Sequence, residues 1–428
     1  MLDAAFIRDN LDAVKANCAK RNVKPDVDVV VALDDRRKQV VQERQVIQQR
    51  QNEVAKATGK EKDPAKRQEL VAEGKALKEK VAGLEQQEKQ VDAELLAALK
   101  LIPNMTNPAA PVGGENDYKV VNQWGTPRQF DFKPLDHVAI CEKLDLADFE
   151  AGASVAGAKF YFLKNEAVLL ELGLVQYAMQ QLIQAGFTPV ITPDLARQEV
   201  LEGIGFQPRG AESNVYTVEE TDLCLVATAE ITLGGMHQNQ ILDAAKFPLR
   251  YAGLSHCFRR EAGAPGRDTK GLYRVHQFTK VEMFVYCTAE ESDKIHEELL
   301  AIEEKIFQGL ELPYRVIDTA SGDLGGPAYR KFDIEAWMPT RGEKGQGDYG
   351  EVTSTSNCTD YQARRLNIRY KAANQKGTRF AHTLNGTAVA CTRALLAVLE
   401  NNQQADGSVT IPTVLRPWVG KDVIAPRK

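Results

Sequence analysis

The chain has little of what would assign it to a familiar class. Its seven cysteines, Cys18, Cys141, Cys224, Cys257, Cys287, Cys358 and Cys391, are odd in number, scattered, and include no C-x-x-C pair. That pattern argues against a disulfide framework and a structural zinc site, and fits a reducing compartment. No run of about 18 apolar residues occurs, so no membrane-spanning helix is expected. Met1-Leu2-Asp3-Ala4 offers neither a basic lead nor an apolar core, so a cytoplasmic location is expected rather than secretion. No G-x-G-x-x-G follows a strand pattern, and no G-x-x-x-x-G-K-[ST] is present. With both common phosphate-cradling loops missing, a nucleotide would have to be held by arginines. Excess charge is lacking too. A net charge of −5 excludes a general polyanion binder, so any nucleic-acid site must be a local basic surface.

What is present is enough apolar material, 43%, for globular folding, and 428 residues, more than one ordinary core holds. Two domains are expected, residues 1–108 and 109–428. Residues 2–20 read as one helix with Ile7, Leu11 and Val14 on a face. From about 27 to 57, Leu33, Val40, Ile47 and Val54 recur every seven residues; from 65 to 100, Leu70, Leu77, Leu84, Val91 and Ala98 do the same. Thr58-Gly59-Lys60 and Asp63-Pro64 mark a turn between them. Two such helices should zip into an antiparallel coiled-coil hairpin over about 27–100, with arms roughly 45 Å long. Arg37, Arg44 and Gln51 stand where the first helix needs a second apolar row. Between 36 and 100 there are fifteen Lys and Arg against eleven Asp and Glu. A basic arm on an acidic body suits a polyanion reader, and equally a solvated coiled coil used only for association.

Residues 103–128, rich in Pro, Gly and Asn, read as a linker. Leu169–Gln184 is a helical stretch with Leu172, Val175, Met179 and Ile183 on one face, followed by a proline-edged strand from Phe187 to Pro193. Thr288 and Glu291 suggest a capping box before a helix with Ile295, Leu299, Ile302 and Ile306 inward. Strands are expected at 311–318, 331–337 and 350–357, and His382–Glu400 as a polar lead into an apolar helix. The fold class is α+β, an antiparallel sheet with irregularly placed helices rather than a βαβ series.

The most unusual stretch is Leu254–Phe284. Ser255–Arg259 and Leu272–Tyr286 are strand-like, and a loop containing Gly263-Ala264-Pro265-Gly266 makes them a hairpin. Arg259, Arg260, Arg267, Lys270 and Arg274 crowd it, with Glu261, Glu282 and Phe278. Arginine forks suit phosphate and carboxylate, and an aromatic face suits a base. A solvated loop with ordinary ion pairs has the same composition. Three other stretches are suggestive: Thr228-Ala229-Glu230, Glu351-Val352-Thr353-Ser354, and Asn385-Gly386-Thr387 with Arg393 opening the last helix.

Taken in order, Gly186–Pro193, TAE at 228–230, CFRREAGAPGRDTKGLYRVHQF at 257–278, EVTSTSNCTDYQARR at 351–365 and HTLNGTAVACTRALLAVLEN at 382–401 closely resemble the seryl-tRNA synthetases, class II aminoacyl-tRNA synthetases, over nearly the whole chain. The resemblance implies a class II antiparallel catalytic domain behind an N-terminal tRNA-binding arm. It implies activation of L-serine by ATP to seryl-adenylate, then transfer of the seryl group to the 3′ end of tRNA(Ser), and of tRNA(Sec). It implies Arg259 between the α-phosphate and the serine carboxylate. Glu261 would contact the adenine, Phe278 would lie under it, and Arg274 would clamp the terminal phosphates. Arg393 would lie over the adenine and γ-phosphate, and Glu351 and Ser354 would support Mg²⁺. Arg260, Val275, Val352 and Thr353 fall in the same ATP-binding stretches. Thr228, Ala229, Glu230, Glu282 and Thr387 match the serine pocket, with Glu282 taking the ammonium and hydroxyl groups. A homodimer through Leu169–Pro193 follows, with each arm gripping the long variable arm of a tRNA charged by the other subunit.

Arg260 departs from the common pattern, where a small residue stands, and is expected to pair with Asp268 or to touch phosphate. Thr353 and Thr387 stand where serine is common. Cys257, Cys287 and Cys358 are expected to be buried hydrophobes, and His256, His276 and His382 structural, because aminoacyl transfer needs no enzyme nucleophile. Three other readings compete: a ligase that loads a carrier protein, against which the long arm speaks; a catalytically silent RNA-binding paralogue; and a coiled-coil association protein with an unrelated enzyme domain, against which the matched motifs speak. Keeping Arg259, Glu282, Glu351 and Arg393 argues against the second.

Overall fold

The computed structural model describes residues 1–206, 214–261, 271–373 and 375–427. The Gly263–Gly266 loop, Arg267, Lys270 and the expected Arg260–Asp268 pair lie outside the described residues. The chain forms two compact units, Met1–Met105 and Thr106–Lys428.

In the first unit the expected single N-terminal helix is two, α1 (Ala4–Asp9) and α2 (Leu11–Lys20). The break falls at Asn10, whose backbone and side-chain N–H groups both donate to the Phe6 carbonyl and so satisfy the end of α1. Helix α3 (Val27–Lys60) starts on Asp26, whose carboxylate accepts from Val29 N. It runs through Thr58–Lys60, where a turn was expected; Thr58 bonds back to the Val54 carbonyl, and the turn is only 61–63. Helix α4 (Pro64–Leu101) has Asp63 as its cap and Pro64 in the first turn, where a missing N–H costs nothing. Val40 and Val54 of α3 face Leu77, Val81, Leu84, Val91 and Leu95 of α4, all buried. The polar row is bridged across the seam: Arg37 Nε donates to Asp92 at 2.6 Å and Arg44 Nε to Glu88 at 2.7 Å.

The second unit is built on one eight-stranded sheet. Its strands are β1 (Lys119–Trp124), β2 (Thr188–Ile191), β3 (Leu249–Phe258), β4 (Gln277–Cys287), β5 (Tyr314–Asp318), β6 (Arg330–Met338), β7 (Asp348–Asn357) and β8 (His382–Ala390). The order across the sheet is β1-β5-β6-β7-β8-β4-β3-β2. All pairs are antiparallel except β2 on β3. Strand β1 lies inside the segment read as linker. All six of its residues are exposed, so no burial pattern advertised it; it is held by pairing with β5 and by Trp124 stacking on Tyr314 at 5.9 Å. The expected polar lead at 382–390 is the central strand β8, so Asn385–Thr387 lie in the sheet rather than at a helix start.

Five helices matter to the site: α5 (Glu166–Gln184), α6 (Ala229–Gly235), α7 (Ser292–Gly309), α8 (Tyr361–Leu366) and α9 (Cys391–Asn402). Helices α5, α7 and α9 share a core with Val281, Met283, Val285, Ile334 and Leu384 on one face of the sheet. Helix α5 buries Leu170, Leu174, Ala178 and Leu182; of the apolar row read in the sequence, Val175 is buried and Met179 packs against the core, while Leu172 and Ile183 are 57% and 50% exposed. Both faces of that helix are apolar, so periodicity alone does not choose between them. Glu291 is the cap of α7 and takes a hydrogen bond from the Thr288 hydroxyl, so no capping box forms. Helix α6 sits on the other face with Leu201, Ile204, Phe284 and Tyr286. A Cβ at Gly253 would meet Leu233 Cδ1 at 2.7 Å and Ala229 Cβ at 3.0 Å. Glycine there lets α6 lie against the sheet.

Gly253→Val is therefore expected to destabilise the catalytic unit by roughly 1–3 kcal/mol through overpacking, read as a lower melting temperature. An unchanged melting temperature would show that α6 is not seated on β3.

Candidate active site

Side chains two apart in a strand share a face, so Phe278, Lys280 and Glu282 of β4 form a row on the α6 side of the sheet. Thr387 of β8 stands opposite Glu282, and its hydroxyl donates to Glu282 Oε2 at 3.2 Å. Arg259 follows β3, with its guanidinium 5.2 Å from the centre of the Phe278 ring. Its backbone carbonyl accepts from, or faces, His276 Nδ1 at 2.7 Å.

Two irregularities complete the site. In β7, Thr353 pairs with Ile334 but Glu351 with Glu335, so Val352 is an extra residue. In β8, Thr387 pairs with Glu282 but Val389 with Val281, so Ala388 is extra. A bulge shifts the alternation by one. It brings Glu351 and Ser354, three apart, to the same face. Thr353 turns to the opposite face, where its hydroxyl donates to Glu303 of α7 at 2.9 Å.

The resulting cavity is walled by Arg259, Glu261, Tyr273, Arg274, Val275, Phe278, Lys280, Glu351, Val352, Thr353, Ser354, Thr387 and Arg393. A second chamber shares Arg259, Glu261, Arg274 and Ser354 and adds Glu230, Lys331 and Asn385. Of the expected site residues, four line neither chamber: Thr228, Ala229 and Glu282 are buried behind the chamber walls, and Arg260 is exposed, its backbone N–H donating to the Asn214 carbonyl.

The cations are already engaged. Arg274 Nη1 donates to Glu261 at 2.7 Å, while its Nε is buried without a partner. Arg393 Nη1 donates to the Glu351 carbonyl at 3.0 Å and lies 3.3 Å from its carboxylate. Burial would raise the Glu351 carboxyl, but Arg393, Lys331 and Arg259 outweigh it and hold the group below the usual range. Lys280 meets Glu282 at 2.5 Å, both nearly sealed from solvent. Thr228 caps α6 by accepting from Glu230 N at 3.2 Å. Glu230 Oε1 accepts from Gln362 at 2.7 Å and Asn385 at 2.9 Å. Burial, then the charge of Glu282, pushes Glu230 up to about 7.

Lys280, Gln362 and the Lys331–Asp333 pair (2.9 Å) belong to this site and were not singled out in sequence, and Asn385 stood out only as part of the Asn385–Thr387 stretch, without a role. The two-residue period from Phe278 to Glu282 was the available signal for Lys280. Gln362 reaches the site from α8, and nothing in sequence ties it to Glu230. The three histidines hold the scaffold: His276 faces the Arg259 carbonyl, His256 faces Asp194 at 2.8 Å and His382 faces Ser292 at 2.9 Å. Cys257, Cys287 and Cys358 are buried, and burial raises the first two thiols, which disfavours thiolate. Glu351 and Ser354 present hard oxygens to one space, as Mg²⁺ prefers. Among the described residues no group of three metal-ligating side chains exists, so an ion there would need ligand oxygens as well.

The model for seryl-tRNA synthetase N-terminal domains matches residues 1–106, and that for the class II tRNA synthetase core domain (G, H, P, S and T) matches 215–402. The chain is 56% identical over 425 residues to the serine–tRNA ligase of Rhodopirellula baltica, covering 99% of each. It is 57% identical over 425 residues to that of Treponema denticola, covering 99% of this chain and 100% of the relative. The solved seryl-tRNA synthetase of Pyrococcus horikoshii, complexed with ATP, is 40% identical with a TM-score of 0.90, each chain covered in full. The cytoplasmic serine–tRNA ligase of Naegleria fowleri, complexed with AMP, is 32% identical with a TM-score of 0.87, covering 100% of this chain and 99% of that one.

Glu230 also gives a stability test. With its carboxyl at about 7 folded against 4.5 unfolded, the folded chain holds an extra proton between those values. Stability contributed by this group therefore falls as pH rises through that window, and its cost is full above it. Glu230→Gln should melt like the parent near pH 4.5 and gain on it by on the order of 2 kcal/mol above pH 7, after discounting for partial exposure. A pH-independent difference in melting would refute the assignment.

Proposed function

The chain belongs to the seryl-tRNA synthetase family, and we propose that the two-chambered cavity is where it joins L-serine to ATP and then loads the seryl group onto tRNA(Ser). The observation that carries this placement is the single row Phe278-Lys280-Glu282, with Arg259 beside Phe278. An aromatic face for a base, cations for phosphate and a carboxylate for an ammonium group lie in one line.

The serine carboxylate attacks the α-phosphorus of ATP, and pyrophosphate leaves. Two anions must meet, so the protein's task is charge neutralisation and alignment. Arg259 stands where it can take both, with Lys280 one row in. Arg274 exchanges Glu261 for terminal phosphate oxygens, and its unpartnered Nε–H is a ready donor. Glu261, released, accepts from the adenine amino group while Phe278 stacks beneath. Arg393 lies along the triphosphate. Glu282 and Thr387 receive the serine ammonium and hydroxyl groups, with Thr228, Ala229 and Glu230 closing the pocket. In the second step the 3′-terminal ribose hydroxyl of the tRNA attacks the adenylate carbonyl and AMP departs. Glu351 and Ser354 would hold Mg²⁺, which when bound supplies charge neutralisation between phosphates.

The first unit is read as the tRNA-binding domain. Near the base of the hairpin Arg37 and Arg44 are spent on Asp92 and Glu88. Lys56, Lys60, Lys62, Lys66, Arg67, Lys75, Lys78, Lys80 and Lys89 have no ion pair among the described residues. Those are the cations left for phosphates, of tRNA(Ser) and, by the same reading, tRNA(Sec). A homodimer is supported by the apolar side chains Leu172, Ile183 and Ile191, exposed by 57%, 50% and 83%. No helix among the described residues is long and apolar enough to cross a membrane, which accords with a cytoplasmic setting.

Serine-dependent ATP–pyrophosphate exchange and charging of tRNA(Ser) test the reading. Deleting residues 34–100 should abolish charging and spare exchange; loss of exchange as well would contradict separate roles for the two units. Glu282→Gln should lower kcat/KM for serine by at least roughly 10², since it leaves a hydroxyl and an ammonium group unmatched in a buried pocket. A change below threefold would remove Glu282 from the serine site.

A further inference from the structure

Tyr273 is a cavity wall residue with no role in the chemistry above, yet more converges on it than on any neighbour. Arg393 touches it twice: Nε donates to the Tyr273 carbonyl at 3.3 Å, and the guanidinium carbon lies 4.6 Å from the ring centre. A second guanidinium, that of Arg341, lies 4.2 Å from the same ring. Arg341 comes from the segment joining β6 to β7 and does not line the cavity itself.

Glu400 of α9, buried, fixes both partners. One oxygen accepts from the Thr340 hydroxyl at 2.8 Å and from Thr340 N at 3.3 Å, immediately before Arg341. The other meets His137 Nδ1 at 2.9 Å, and His137 Nε2 accepts from Leu272 N at 3.0 Å, immediately before Tyr273. Arg393 lies two turns earlier on the same helix. Room for the ring comes from Gly350, where a Cβ would meet Tyr273 Cε2 at 3.2 Å and Met338 Sδ at 2.9 Å.

The ring is thus held between two guanidinium groups, of which Arg393 lines the cavity and lies 3.3 Å from the Glu351 carboxylate, so the setting of the ring decides where Arg393 is aimed. Resting on the reading of this cavity as an ATP site, we propose that Arg341 is a positioning residue for the β- and γ-phosphates, acting through Tyr273 on Arg393. It fixes the ring against which Arg393 is aimed, and its charge adds to the field at the triphosphate end. It touches neither the serine pocket nor the adenine.

The test compares two ligands in the full-length protein: ATP, from its KM in serine-dependent pyrophosphate exchange, and a non-hydrolysable seryl-adenylate analogue, which lacks the β- and γ-phosphates. Arg341→Gln is expected to raise the KM for ATP about tenfold, in line with a half-buried cation–π contact. The KM for serine and the dissociation constant of the analogue should stay within twofold. Arg341→Lys, which keeps the charge without the planar face, should fall between parent and Gln. An unchanged KM for ATP, or an equal loss of affinity for ATP and analogue, would overturn the proposal, the second because it marks a general scaffold role. If Arg341→Gln does not fold, the same comparison on Arg341→Lys decides. Absence of exchange in the parent protein would instead refute the synthetase site, so the two failures are distinct.

Discussion

Neighbouring side chains in a strand point to opposite faces, so a carboxylate and a hydroxyl three residues apart ordinarily serve different surfaces. The site depends on breaking that alternation twice, at Val352 in β7 and Ala388 in β8. Each bulge leaves the strand on its downstream side in register with its neighbour but moves one residue across the sheet. Glu351 and Ser354 then face one space, and Thr353 between them is free to tie the strand to Glu303 below. On β8, Thr387 keeps its place opposite Glu282 while the chain goes on to start α9, which carries Arg393 and Glu400. β4 supplies the regular strand against which both irregular ones are set.

The same feature explains what was and was not legible in the sequence. The coiled-coil hairpin was readable because its seven-residue repeat is long and local. The α+β class was readable from the succession of strand-like stretches. The linker reading failed at Lys119–Trp124 because an exposed edge strand has no alternation of burial to display. Helix α5 carries apolar residues on both of its sides, one for the core and one exposed, so its apolar row alone did not say which side is buried. At the site, Arg259 and Glu282 were conspicuous within the charged hairpin, whereas Arg393 alone reads as a helix-face ion pair and was picked out by the family resemblance. Lys280 did not stand out, since one lysine in a strand passes for a solvated edge, and only its 5% exposure gives it away. Asn385 and Gln362 act on Glu230 across more than a hundred residues of chain, a relation that no local spacing encodes.

Charge in the arm has two uses that composition cannot separate. Arginines on the seam make ion pairs across α3 and α4, as Arg44 does with Glu88, both about a quarter exposed. Such pairs set which residues face each other more than they stabilise, since each gains little in solvent and must order two long side chains. They also remove those cations from any role toward a polyanion. The surplus that remains is the cations from Lys56 to Lys89 that have no ion pair among the described residues, most of them close to the turn at 61–63. Counting charge over the whole arm dilutes this difference, and the sequence alone offered no way to assign partners.

The deepest part of the cavity is costly to build. The charge of Glu282 adds to burial in raising the Glu230 carboxyl, and Lys280 pairs with Glu282. A fold selected for stability alone would replace such a cluster with apolar side chains. Its retention makes sense if the missing positive charge arrives with the substrate. An ammonium group placed beside Glu282 and Glu230 would complete a set of charges that the protein leaves one cation short, and a hydroxyl would meet Thr387. Under the proposed reading, a ligand with the ammonium but no hydroxyl would leave Thr387 with Glu282 as its one partner in a buried pocket, and selectivity for serine over alanine would rest on an unmatched polar site rather than on size.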